Sequence, residues 1–169
     1  MKKDLNEPIQ IVKKRRDTAL AALVNSIPYI QFLGVRFDRR GDELTAVMPF
    51  SEELIGNPDL PALHGGAIAA FLEISAVIEL SWVGLWKEFE SSKITPKKIK
   101  SCGIVSIPKT IDFSVDYLRT GFPRDAYARA CVNRSGRRYA SVFVEAWQDN
   151  KNSPIAQATG HFLMSDAVT

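Results

Sequence analysis

The sequence predicts an α+β domain in which a curved antiparallel sheet of about six strands wraps around one long buried helix. Three observations predict it. From Gly65 to about Trp86 the chain is apolar on nearly every helical face, which marks a helix buried on most sides. Two short β-prone runs precede this helix, at Leu33 to Phe37 and Glu43 to Met48. Four more follow, at Lys109 to Leu118, Tyr127 to Asn133, Ala140 to Gln148 and Ile155 to Met164, joined by short links rich in Gly, Pro, Asn and Asp, so antiparallel neighbours are the simplest arrangement.

Ahead of the strands, Ile9, Val12, Leu20, Leu23 and Val24 recur at helical spacing, giving an amphipathic helix from Pro8 to Asn25 that Pro28 is expected to end. The basic run Lys13 to Arg16 reads as the solvated face of that helix. Gly41-Asp42 suits the turn of a first hairpin, and the proline-bearing stretch Pro49 to Leu63 reads as a surface loop able to carry functional groups. Lys87 to Pro108, rich in lysine, reads as an excursion leading into a strand. The division that results is an N-terminal helical extension, residues 1–26, and a single domain, residues 27–169.

With 169 residues the chain is one domain's worth, and 46% hydrophobic with 24% charged residues are globular proportions. A net charge of +3 is far from the bias of a nucleic-acid binder. Cys102 and Cys131 are too few for a disulfide framework and form no metal-ligand cluster with other residues, so a reducing, cytoplasmic setting and no metal are expected. Glu73 and Glu79 interrupt the long apolar stretch, which argues against a membrane span.

His64, Gly65 and Gly66 stand where the loop becomes the buried helix. Free N–H groups at a helix start, backed by the helix dipole, favour an anion or a developing oxyanion; taken alone, the tripeptide also reads as a tight turn with His64 as a cap. Glu73, between Leu72 and Ile74, is a carboxylate inside an apolar helix. It reads as a general base or nucleophile, or as a member of a solvated or subunit-facing strip. Glu79 is rotated about 240° from it and faces elsewhere. Gly65 and Glu73 are about 12 Å apart along the helix axis, so their cooperation requires a second copy with its helix antiparallel across a two-fold axis. Ser51, Ser75 and Ser114 have no nucleophile-elbow context, and His161 has the surroundings of a structural histidine.

Asn57, His64-Gly65-Gly66 and Glu73, the last within HGGAIAAFLEISA, resemble the motif of the hotdog-fold acyl-CoA thioesterases of the PaaI-like (phenylacetic acid degradation) group. The strand TIDFSVDYLR and Gly160-His161-Phe162 are similar to that group's strand after the central helix and to its last strand. The Asn-to-His interval is lengthened here by Pro58, Asp59, Leu60 and Pro61. The resemblance implies a hotdog fold and hydrolysis of a small-to-medium or aryl acyl-CoA without a cofactor. It assigns the thioester carbonyl to Gly65 N–H, the activated water or the nucleophilic role to Glu73, and orientation of the water or thioester to Asn57. His64 would hold the loop and Thr110 supply a hydroxyl beside the carboxylate. It implies assembly as a homodimer or a dimer of dimers (a homotetramer). Gly66, Lys109, Arg119, Arg124, Arg137 and Arg138 are the candidates for substrate contact, the basic ones toward coenzyme A phosphates. Phe71, Trp82, Trp86 and Phe113 line either a pocket or the core. The alternatives are a non-catalytic acyl-CoA-binding module and an enoyl-CoA hydratase, whose usual Asp/His pair five residues apart is missing here: Asp59 stands five before His64 but between prolines, and the HGG that follows is thioesterase-like.

Overall fold

The computed structural model describes residues 9–90 and 107–164, with the side chains of residues 86–90 outside the description. Most of the Lys87 to Pro108 excursion, Cys102 and the Trp86 side chain therefore lie outside the described residues. The described residues open with α1 (Ile9–Asn25), whose Ala19, Leu20 and Leu23 are buried in the common core. Pro28 does not merely end this helix. Its fixed φ suits a first helical position, and it opens a second, short helix, α2 (Pro28–Leu33). Leu33 thus ends a helix where a strand is expected, and Gly34, at φ 65°, supplies the left-handed residue that stops it.

The hairpin β1 (Arg36–Arg40) and β2 (Glu43–Met48) follows, turning at Gly41 with φ 64°. A 3₁₀ turn over Glu52–Leu54 leads to β3 (Ile55–Asn57) and β4 (Ala62–Leu63), a small two-stranded hairpin inside the stretch expected to be loop. The long helix α3 (Gly65–Glu90) comes next, then β5 (Lys109–Tyr117), β6 (Ala126–Ser135), β7 (Tyr139–Trp147) and β8 (Ala156–Leu163).

Six strands form one antiparallel sheet in the order β1-β2-β6-β7-β8-β5. The sequential hairpins β6–β7 and β7–β8 are as expected, while β5 pairs with β8 at one edge and the chain then crosses to β6. This is the hotdog arrangement. The alternation of each strand sends one set of side chains toward α3, and on β6, β7 and β8 that set is mostly small. Ala126, Ala128, Ala140, Ala146, Ala156 and Ala158 are all at most 1% exposed. The helix supplies the bulk in return, with Phe71, Leu72 and Ile78 fully buried. By length and composition α3 is apolar enough to cross a membrane, but its apolar faces are taken up by the sheet. Phe71 is core, as are Trp82 and, in part, Phe113.

β5 carries a bulge. Thr110 pairs with Phe162 and Asp112 with His161, leaving Ile111 extra. The extra residue shifts the alternation by one, so Thr110 shares the helix-facing side with Phe113, Val115 and Tyr117. Gly160, opposite Phe113, has no room for a side chain: a Cβ there would lie 2.6 Å from the Phe162 ring and 2.7 Å from the Phe113 ring. Its absence lets the two rings meet edge to face, centroids 6.4 Å apart at 69°.

Burial gives Glu79 a pKa raised from 4.5 to about 7. The folded protein then holds a proton between pH 4.5 and 7 that the unfolded chain has released. Stability therefore falls as pH rises through that window. Glu79→Gln is expected to flatten the dependence and to gain, at pH 8, on the order of 2 kcal/mol after discounting for solvent at a half-buried group, in urea unfolding at pH 5 and pH 8. Gly160→Ala is expected to cost about 1–3 kcal/mol in the same measurement, because both rings it meets are packed.

Candidate active site at the start of the central helix

The first turn of α3 exposes backbone N–H groups that the helix cannot itself satisfy. Here most of them are taken. His64 N–H donates to the Leu54 carbonyl at 2.8 Å and Ala67 N–H to the His64 carbonyl at 3.0 Å. Gly66 N–H donates to His64 Nδ1 at 2.9 Å. Gly65 N–H alone has no acceptor among the described residues. One donor at the positive end of a long helix dipole is the feature an incoming carbonyl oxygen would meet.

The surroundings hold that donor still. Tyr117, at the end of β5, donates its hydroxyl to the Gly65 carbonyl at 2.8 Å, and its ring lies 3.3 Å from where a Gly65 Cβ would be. On the other side His64 lies against Gly56, where a Cβ would come within 2.8 Å of it. Gly56 is the irregular residue of the β3–β4 pairing, between Ile55 and Asn57. Below, Gly121 packs at 3.3 Å, by its own Cβ position, on Leu63, Ile68 and Ile155, and its carbonyl accepts from Leu63 N–H at 2.8 Å. The buried Gln148 fastens this 118–125 loop by accepting from Phe122 N–H and donating to the Phe122 and Arg124 carbonyls.

Sequence reasoning missed Tyr117, Gly56 and Gln148. The signal for Tyr117 was its place at the end of a strand long enough to return to the helix start. Nothing in the sequence distinguishes Gly56 or Gln148 from ordinary loop and strand-end residues.

The structure gathers Asn57, His64, Gly65 and Gly66 around the helix start. Asn57 Oδ1 accepts from Asp59 N–H at 3.0 Å and Leu60 N–H at 3.4 Å, so its carbonyl closes the proline-bearing turn and its amide N–H₂ remains available. Asp59 sits in that turn, exposed. Glu73 is elsewhere: two turns along α3, half-buried and without a hydrogen-bond partner among the described residues. It shares a partly exposed strip with Gly66, Ala69, Ala70 and Val77, between the buried Leu72 and Ile74. Thr110, half-buried, lies at the far end of β5 from Tyr117, roughly 20 Å away by strand rise.

The basic candidates divide between the two ends of the sheet. Arg119 and Arg124 are at the Gly65 end. Arg119 donates to the Pro154 carbonyl at 2.7 Å, and Arg124 pairs with Asp149 at 2.7 Å while lying over the Phe122 ring. Lys109, opposite Leu163, and the turn residues Arg137 and Arg138 are exposed at the other end. His161 stacks on Tyr139 and bonds its hydroxyl, on the sheet face away from α3. Among the described residues no three of His, Cys, Asp and Glu gather as metal ligands would.

A six-stranded hotdog sheet around a helix whose start offers one N–H open among the described residues is an arrangement suited to polarising a thioester carbonyl, the class of chemistry that the comparisons then show. The family model of the thioesterase superfamily matches residues 60–155, more than half of the chain; the chain belongs to that superfamily and is a thioester hydrolase. The medium/long-chain acyl-CoA thioesterase YigI of Escherichia coli is 28% identical over 144 residues, covering 83% of this chain and 88% of its own. A crystal structure from Chromobacterium violaceum is 33% identical, with a TM-score of 0.61 over 95% of this chain and all of that one. The PaaI protein of the E. coli phenylacetic acid degradation operon shares the fold at 13% identity, with a TM-score of 0.66 over 92% of this chain and 96% of its own.

Tyr117→Phe removes the bond to the Gly65 carbonyl while keeping the ring. It is expected to cost about 1 kcal/mol in thermal unfolding and to lower kcat more than it raises KM, because the loosened group is the carbonyl-polarising peptide.

Proposed function

We propose that the protein is a cytoplasmic acyl-CoA thioesterase that works as a homodimer or a dimer of dimers, with each site shared between two chains. The observation that carries this reading is the separation of its two chemical groups: the Gly65 N–H and Glu73, both without a hydrogen-bond partner among the described residues, are about 12 Å apart along one helix. A two-fold axis that lays a second α3 antiparallel along the strip of Gly66, Ala69, Ala70 and Val77 brings one chain's Glu73 to the other's Gly65. The small residues of the strip allow close approach. The same operation, reversing β5, carries Thr110 and the Lys109, Arg137 and Arg138 end toward Gly65, so both basic groups come within reach of one coenzyme A tail.

In this arrangement Gly65 N–H stabilises the negative charge that develops on the thioester oxygen as the carbonyl becomes tetrahedral. Glu73 from the neighbouring chain takes a proton from water, whose oxygen attacks the carbonyl carbon; the C–S bond then breaks, releasing the acid and the coenzyme A thiol. Asn57, its carbonyl held by the turn, directs its amide N–H₂ to the water or thioester. His64 is a positioning residue that keeps the first turn and Gly56 in register. The acyl range expected from the residue resemblance was small-to-medium or aryl, and YigI acts on medium and long chains by its name. The two overlap at medium length, which is the substrate class we favour.

Release of free thiol from a panel of short, medium, long and aryl acyl-CoA esters is expected to peak at medium chains and to fall at least a hundredfold in Glu73→Ala, with folding and assembly intact. Mixing Glu73→Ala chains with Gly65→Pro chains, each inactive alone, is expected to restore turnover, since a mixed dimer has one complete site. No recovery on mixing would rule out the shared site, and turnover indifferent to Glu73 would favour an acyl-CoA-binding module.

A further inference from the structure

Cross-strand register assembles a cluster on the outer face of the sheet, at its Lys109 end. Ser141 lies opposite His161 and Tyr139 opposite Leu163 on β7 and β8. All four point away from α3, because the alternating Ala140 and Phe162 are buried toward it. The Tyr139 and His161 rings stack diagonally, centroids 5.5 Å apart at 22°, and the Tyr139 hydroxyl donates to His161 Nδ1. The proton of the neutral imidazole is then on Nε2, which has no acceptor among the described residues. Packing does not complete this arrangement, since Tyr139 stays 41% and Leu163 45% exposed.

Cations flank the rings on both sides. On β5, Lys109 is opposite Leu163 and shares its outward face. On β6 a bulge leaves Asn133 extra and sets Arg134 opposite Ser141, which turns Arg134 outward as well. Arg137 and Arg138 occupy the turn between β6 and β7 at the same end. All four are exposed, and none forms an ion pair among the described residues. The register places one acid beside the rings, Asp112 opposite His161. A ligand that is both flat and anionic uses all of these groups: its ring stacks on the exposed aromatic pair, and its phosphates accept from arginine, lysine and the His161 Nε2–H. A bare phosphate leaves the stack unused, and an uncharged ring leaves the cations unused. Arg134 and Lys109 stand three strand spacings apart, roughly 14 Å, with the rings between them, a span that suits a nucleotide with more than one phosphate.

We propose that this cluster holds the adenosine 3′,5′-bisphosphate end of coenzyme A, so that the enzyme selects coenzyme A esters over thioesters that lack a nucleotide. The inference rests on the shared site proposed above. Within one chain Lys109 is eight residues from Tyr117, roughly 25 Å by strand rise, which is too far along the sheet to serve that chain's own Gly65. The two-fold axis that reverses β5 brings the cluster to Gly65 of the second chain. There Thr110 is on the helix side of the sheet and Lys109 on the outer side, so a pantetheine arm passing the end of β5 leads from the thioester to the rings. Tyr139, His161 and Arg134 thereby join Lys109, Arg137 and Arg138 as substrate-binding residues, and His161 is more than the structural histidine its sequence surroundings suggest.

The test pairs calorimetric titration of the whole chain with adenosine 3′,5′-bisphosphate and steady-state turnover of one medium-chain acyl group carried on coenzyme A or on pantetheine. Saturable binding is expected that weakens at least tenfold in Tyr139→Leu and in Lys109→Gln with Arg134→Gln. Binding is expected to survive in Tyr139→Phe, which keeps the ring, and in Arg36→Gln, at the opposite edge of the sheet. In wild type, kcat/KM is expected to favour the coenzyme A ester at least tenfold, and Tyr139→Leu to bring the two esters within about threefold of one another through KM. The bisphosphate is expected to inhibit in competition with the coenzyme A ester. The proposal is overturned by absence of saturable binding, by equal affinity in Tyr139→Leu, by loss in Arg36→Gln, or by an equal loss of turnover on both esters, which a merely structural Tyr139 would give. Binding that does not compete with the coenzyme A ester would also overturn it, since the cluster would then serve a separate nucleotide. Failure of the shared site reads out elsewhere, as no recovery on mixing Glu73→Ala with Gly65→Pro chains.

Discussion

Everything in this molecule depends on burying α3. A helix apolar on nearly all sides cannot stand at the surface, and the sheet accommodates it by presenting alanine where other sheets present valine or leucine. Small residues on the strands and large ones on the helix are complementary shapes, so the helix axis sits close to the sheet and its start is fixed to within a side chain's tolerance. The chemistry inherits that rigidity. A backbone N–H is useful for polarising a carbonyl only if it does not have to be reoriented when charge develops, and here Tyr117, His64 and Gly121 hold its peptide from three directions.

Saturation of the other N–H groups matters as much as the open one. Had Gly66 and Ala67 also been free, the helix start would be a general anion site of the kind that cradles phosphate. With His64 turned back onto Gly66, the count of open donors among the described residues falls to one, suited to a single developing oxyanion. The ring nitrogen that accepts is Nδ1, so the proton of the neutral imidazole sits on Nε2.

Much of the fold was legible because α3 and the strands β6, β7 and β8 have unambiguous periodicity, and the HGG with Glu73 nine positions after the histidine marked the helix start and its carboxylate. What was not legible depended on position rather than type. Pro28 reads as a terminator until it is seen at a first helical position, and Leu33 reads as strand until Gly34 turns left-handed after it. The β3–β4 hairpin is too short for a periodic signal. Tyr117 looks like any strand-end aromatic, and Gly56 matters only because His64 lands on it.

The bulge at Ile111 has a consequence for how such a protein can change. It divides β5 into two stretches with independent phase: Phe113 to Tyr117 answer to the core and the helix start, while Lys109 and Thr110 answer to their own partners on β8, Leu163 and Phe162. Deleting Ile111 would close the bulge with Thr110 still opposite Phe162 and Asp112 still opposite His161, so every other side chain of β5 would keep its face. Closing the bulge by re-pairing, with Ile111 opposite Phe162, would instead turn Thr110 outward and bring Lys109 to the helix-facing side, so the register ahead of the bulge decides whether a hydroxyl or an ammonium faces the helix.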